Sequence, residues 1–158
     1  MIIQHISYSR IDEGEDKEYD TKIFTEPTLK GRFGFNAIAT EKHIYDHLLY
    51  DSEIEKDFAE ALEQAQNVVV YAKLPRGFYI STPVGKYNPD WAIAFDQEEI
   101  KHVYFVAETK GNMSSLELRD IEKAKIACAK KHFSAISNNE VKYDVVSNYK
   151  ELMEKVMK

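Results

Sequence analysis

YNPDWAIAFDQEEIKHVYFVAETKG, residues 87–111, decides how this chain is read. It divides into two apolar runs, 90–95 and 103–110, and each carries charge at an end where a sheet interior carries none. Alternation along a strand sends Glu108 and Lys110 to the same side. If the runs are antiparallel neighbours joined through 96–101, the start of the first lies beside the end of the second. Asp90 then comes close to Glu108 and Lys110, so two acids and a lysine meet at one rim of a sheet. Burying such charges without partners costs several kcal/mol. A divalent cation, which prefers oxygen ligands, offsets the repulsion between two carboxylates. The lysine is then placed to hold an attacking water or to offset charge developing on a phosphate.

Pro89-Asp90 followed by Glu108-Thr109-Lys110 resembles the PD-(D/E)xK signature of restriction-type nucleases. The surroundings extend the likeness: Lys73-Leu74-Pro75, Phe78, Thr82-Pro83-Val84-Gly85, Tyr87-Asn88-Pro89-Asp90-Trp91, Gly111, and Cys128 with His132-Phe133. Together they resemble the C-terminal endonuclease domain of the Res subunit of type III restriction enzymes, from about residue 50 onward, with residues 1–40 an extension outside the likeness. The resemblance implies an α/β fold, a restriction-endonuclease-like mixed β-sheet of about five strands flanked by helices. It implies a metal-dependent DNA endonuclease in which Asp90, Glu108 and the Thr109 backbone carbonyl hold Mg²⁺, for which Mn²⁺ can substitute. Lys110 would serve the attacking water or the transition state, and Glu55, a helical acid, would support a second ion. Lys73, Lys125 and Glu122 are expected to contact DNA or to support the metal site. The implied partners are double-stranded DNA, an ATP-driven motor in the same parent chain, and a Mod-type methyltransferase subunit that reads the sequence.

A length of 158 residues suits one domain with a sizeable core, and 44% hydrophobic with 12% aromatic residues argues for a folded globule. We therefore read 1–158 as a single nuclease domain. None of the six glycines begins a Gly-x-x-x-x-Gly-Lys phosphate loop. ATP would accordingly be used only by a motor outside this sequence, and the chain is expected to be a fragment of a larger helicase-nuclease polypeptide. Cys128 is the single cysteine, which rules out an internal disulfide and fits a reducing cytoplasm. There is no signal-peptide pattern and no apolar run of membrane-spanning length, so a soluble, cytoplasmic protein with no membrane partner is expected.

The net charge of −6 runs against binding a polyanion. Its distribution softens the objection. Residues 1–66 carry 7 basic and 15 acidic side chains, whereas residues 67–158 carry 14 and 12, so the half with the candidate site stands at +2.

Along the chain, residues 2–8, 22–25 and 33–39 read as short strands, and Thr40 as the cap of a helix through about residue 49. That helix would put His43 and His47 on one face at the spacing of a zinc-binding pair, but Ile44 stands where a metalloprotease has Glu and no third ligand is evident, so ordinary amphipathic packing is the preferred reading. Ser52 opens a second helix, 53–66, and Ser52-x-x-Glu55 fits a capping box, which gives Glu55 a structural reading beside its catalytic one. Residues 68–73 form a continuous β-branched run expected to be buried on both faces. Residues 78–82 pair with 87 onward through the turn at Pro83 to Lys86, and Pro89 belongs at a strand entrance that aims Asp90. Ser114-x-x-Glu117 offers another capping box for a helix to about Lys131, whose stripe of Leu118, Ile121, Ala124 and Cys128 also contains Lys125. A strand over 141–146, an Asn148 cap and a helix over 149–157 close the chain.

Two rivals use the same residues. One is a non-catalytic DNA-binding or docking module in which Asp90, Glu108 and Lys110 form a structural ion-pair network. The other is a different PD-(D/E)xK enzyme, such as a repair nuclease or junction resolvase. Cys128 in a helix stripe reads as core, not nucleophile.

Overall fold

The computed structural model describes residues 35–75, 77–96, 104–109, 120–136 and 141–157. Lys110, the strands expected at 2–8 and 22–25, and the capping box at Ser114 and Glu117 lie outside them. Strands β1 (Ala37–Ala39) and β2 (His47–Leu49) pair antiparallel. Helix α1 (Glu53–Gln64) leads into β3 (Val68–Lys73), followed by the hairpin of β4 (Ile80–Thr82) and β5 (Gly85–Tyr87). Then come β6 (Trp91–Phe95), β7 (Tyr104–Thr109), α2 (Asp120–Ile136), β8 (Val141–Val146) and α3 (Tyr149–Val156).

The central sheet has the order β3-β6-β7-β8. β6 runs antiparallel to both β3 and β7, whereas β8 is parallel to β7, as a crossover through α2 requires. This is the expected mixed sheet flanked by helices, with four strands among the described residues and the two hairpins as separate ribbons. On one face, Phe58 and Leu62 of α1 and Leu152 and Val156 of α3 pack against Trp91, Ile93, Phe95, Ala107 and Val146. On the other, Ala129 and Phe133 of α2 pack with Ile80, Tyr87, Val106 and Tyr143. β6 alternates as a central strand should, with Trp91 fully buried and edge-tilted against Phe58 at 5.5 Å.

The Ser52 cap of α1 forms, but Glu55 reaches back one residue beyond the cap, to Asp51 instead of Ser52. The Ser52 hydroxyl accepts from Glu55 N at 3.3 Å, and Glu55 Oε2 accepts from Asp51 N at 2.7 Å. Asn148 caps α3 in the same way, accepting from Glu151 N at 3.0 Å. The β4–β5 turn is Pro83-Val84, shorter than the expected Pro83 to Lys86, because Gly85 and Lys86 already pair in β5 with Thr82 and Ser81; Gly85 there has φ +113°, a conformation that side chains with a Cβ rarely adopt.

Three expectations are overturned. The helix over 40–49 does not form: residues 47–49 are strand β2, and His43 makes a parallel bridge to Tyr71 instead. Ten residues with a weak helical pattern yield to tertiary bonds, because the Glu63 carboxylate on α1 captures the backbone N–H of Glu41 and Lys42. With the helix goes the zinc pairing of His43 and His47. Next, β3 is not buried on both faces. Among the described residues it is the edge strand of the central sheet, Val69 is 58% exposed, and the pairing with β6 shifts register between Val68 and Val70. Finally, Ile121 is 56% exposed, and the buried stripe of α2 is Ala124, Cys128, Ala129 and Phe133.

Candidate active site

The register sets the site. Trp91 pairs with Ala107, so the next residues outward, Asp90 and Glu108, are neighbours at the end of β6 and β7. Pro89 is fully buried at the strand entrance. Asn88 Nδ2 donates to Phe78 O at 2.6 Å and ties the approach to the hairpin side. The Asp90 backbone is then clamped from both sides: its N–H donates to Ala107 O at 3.2 Å, and its carbonyl accepts from Leu74 N at 2.7 Å.

The Asp90 side chain is held by Thr109. Asp90 Oδ2 accepts from the Thr109 N–H at 2.8 Å and from the Thr109 hydroxyl at 2.9 Å. That hydroxyl in turn accepts from Trp91 Nε1 at 3.2 Å, which sets its proton toward the aspartate. Thr109 was expected to contribute its carbonyl; what the structure shows is its N–H and hydroxyl orienting Asp90.

Glu108 is the buried charged residue among the described residues, at 5% exposure. Its Oε2 accepts from the Tyr87 hydroxyl at 2.8 Å, and the Tyr87 hydroxyl lies 2.5 Å from that of Tyr143. Burial, then the charges of its neighbours, push the Tyr87 phenol far above its ordinary range. Burial does the same to Tyr143, with Glu108 and Asp90 nearby adding to it. Both phenols are therefore neutral donors. Neither tyrosine was singled out from sequence as a site residue. Tyr87 stands in the Tyr-Asn-Pro-Asp-Trp motif, but Tyr143 carries no local signal, because β8 brings it in from 56 residues away.

Glu55 and Lys73 meet on the α1 side. Lys73 Nζ reaches Glu55 Oε2 at 2.8 Å, Asp51 Oδ2 at 2.9 Å and Leu49 O at 3.3 Å. Burial alone would lower the Lys73 ammonium, but the bonds to Glu55 and Asp51 outweigh it and hold its pKa above the ordinary value. Glu55 thus bonds both the start of its own helix and Lys73, whereas Glu108 joins the tyrosines packed under α2. Lys125 is half-buried on α2 beside the hairpin, its Nζ 3.9 Å from where a Cβ on Gly85 would lie. Glu122 is half-buried in the first turn of the same helix.

The donors at the strand ends are hard oxygens: two carboxylates on adjacent strands and the Thr109 carbonyl. Among the described residues no group of three or more His, Cys, Asp and Glu side chains is arranged to hold a metal. A pair of carboxylates suits Mg²⁺, which commonly takes one or two and completes its octahedron with water and substrate phosphate.

Comparison with known proteins identifies a family for the sequence. The sequence matches the model of a family described as an endonuclease domain over residues 41–149. It is 34% identical over 102 residues to the Type III restriction-modification enzyme EcoPI Res subunit of Escherichia phage P1, covering 63% of this chain and 10% of that protein. The EcoP15I Res subunit of Escherichia coli matches with the same identity and coverage. The chain therefore spans about a tenth of the length of the curated relatives it matches.

Proposed function

The chain belongs to this endonuclease-domain family, and from that premise we propose that it is a Mg²⁺-dependent DNA endonuclease, the cleavage domain of a type III restriction-modification enzyme. The observation that carries the reading is the pairing of Asp90 with the buried Glu108 at the ends of two adjacent strands. Both carboxylates would bind the ion, with the Thr109 carbonyl as a third donor. When bound, Mg²⁺ lowers the pKa of a coordinated water and polarises a phosphoryl oxygen. Thr109 fixes Asp90 before substrate arrives, so little reorganisation is left for the reaction. Lys110, two residues beyond Glu108, would orient the attacking water or offset charge at the pentacovalent phosphorus. Lys73, anchored by Glu55, would stand at the end of the neighbouring strand as a phosphate contact. In the parent protein an ATP-driven motor and a Mod-type methyltransferase subunit would supply translocation and sequence readout.

Plasmid cleavage tests this reading. The purified chain should nick or linearise duplex DNA with Mg²⁺ or Mn²⁺ and stop on chelation, and Glu108→Gln should lose at least about a hundredfold in rate while remaining folded. A folded chain that neither binds a divalent ion with DNA present nor cuts would instead be a docking module. Preference for branched DNA over linear duplex would mark a junction-type enzyme.

A further inference from the structure

The Tyr143–Tyr87–Glu108 arrangement has no part in the reading above, which needs only that Glu108 be present and ionised. Its hydrogen-bond directions follow from chemistry. An ionised carboxylate only accepts, so the Tyr87 hydroxyl donates its single proton to Glu108 Oε2. The Tyr87 oxygen must then accept in its 2.5 Å contact, and Tyr143 is the donor. The chain thus points one way, toward the carboxylate.

The rings that carry these hydroxyls are fixed. Tyr143 stacks on Phe133 of α2 with centroids 5.4 Å apart and planes 12° from parallel. Tyr87 meets Tyr143 edge-on at 6.3 Å and 88°. Both tyrosines are buried in the core under α2. Three elements therefore converge on one oxygen: β5 brings Tyr87, β8 brings Tyr143 and β7 brings Glu108. The terminal torsion of a glutamate is broad and leaves the carboxylate loosely oriented. A donor fixed by packing on one oxygen removes that freedom.

Resting on the reading of Glu108 as a metal ligand, we infer that Tyr87, oriented by Tyr143, is a positioning residue that sets the Glu108 carboxylate for divalent-cation binding. Partners of this kind behind a ligand typically govern metal affinity by about 10- to 100-fold.

Mn²⁺ titration calorimetry on the 158-residue chain tests it, with circular dichroism melts of each variant. Tyr87→Phe keeps the ring and removes only the donor. It should remain folded and raise the Mn²⁺ dissociation constant by at least about tenfold, and excess Mn²⁺ should restore its cleavage rate with the KM for DNA unchanged. Tyr143→Phe, which leaves the Tyr87–Glu108 bond in place, should show a smaller loss and serves as the readout if Tyr87→Phe does not fold. Glu108→Gln should abolish binding. Wild-type affinity in Tyr87→Phe, alongside loss in Glu108→Gln, overturns the inference and leaves the metal site standing. Wild-type affinity in Glu108→Gln, or no Mn²⁺ binding by the parent, overturns the metal site and the inference with it.

Discussion

Asp90 has two roles that one position can separate. Its Oδ2 takes two hydrogen bonds from Thr109, so the side chain splints β6 to β7 as well as presenting a carboxylate. Asparagine keeps an acceptor oxygen in place and loses only the charge; alanine strands the Thr109 donors. We expect Asp90→Asn to unfold within about 1 kcal/mol of the parent and Asp90→Ala to lose about 1.5–3 kcal/mol, with neither cutting DNA. Urea unfolding of both variants beside a nicking assay checks this. Equal stability of the two would remove the splint and leave Asp90 as a ligand only. At this scale the sequence was informative where a period rule applied. Strand alternation and antiparallel pairing put Asp90 next to Glu108 in advance, because both depend on local spacing. Tyr143 was invisible, since its place depends on the parallel docking of β8, which no nearby residue encodes.

Among the elements, residues 40–49 show how a helical spacing misleads. His43 and His47 fit one helix face, yet four backbone and side-chain bonds to Glu63 and Tyr71 hold this stretch as a strap along the β3 edge. The His43 ring belongs to that strap: its Nε2 lies 3.1 Å from the Lys73 N–H and its Nδ1 lies 3.2 Å from the Tyr45 N–H. An imidazolium carries a proton on both nitrogens and can accept from neither. Burial, the largest influence, lowers the His43 pKa from its ordinary 6.5, and nearby Glu63 opposes this without overcoming it. The sign follows directly. The unfolded chain takes up the proton first, so this stability is present above pH 6.5 and is lost as pH falls through the lower folded value. His132 shifts the same way by burial. Urea midpoints should therefore drop between pH 7.5 and pH 5, and His43→Gln, which can still accept from Lys73 but does not titrate, should flatten part of that slope. A His43→Gln protein with the full parental slope would assign the acid loss to other groups. The α1 and α3 starts, by contrast, were legible, because Ser52 with Glu55 and Asn148 with Glu151 satisfy their own backbone donors locally.

At the scale of the whole molecule, the order of helices and strands around a mixed sheet could be read from the sequence, whereas the separation of β1–β2 and β4–β5 into ribbons could not. Short three-residue strands carry too little pattern to say which sheet they join. Charge acts at this scale too. The net −6 gives no long-range pull toward a polyanion, and the +2 of residues 67–158 is enough for only a few phosphate contacts. Few contacts mean weak binding with a shallow salt slope, roughly −0.9 in log affinity per log salt for each phosphate neutralised. Base readout needs side chains in a groove, and the charged groups located here at the strand ends already have partners within the chain: Asp90 has Thr109, Glu108 has Tyr87, and Lys73 has Glu55 and Asp51. Recognition of a sequence would then have to come from outside this chain. The chain alone should cut duplex DNA at low salt with scattered ends, which sequencing of the cleavage products reads directly. Ends that cluster at one defined sequence, without any partner present, would place recognition inside this chain and overturn the division of labour proposed for it.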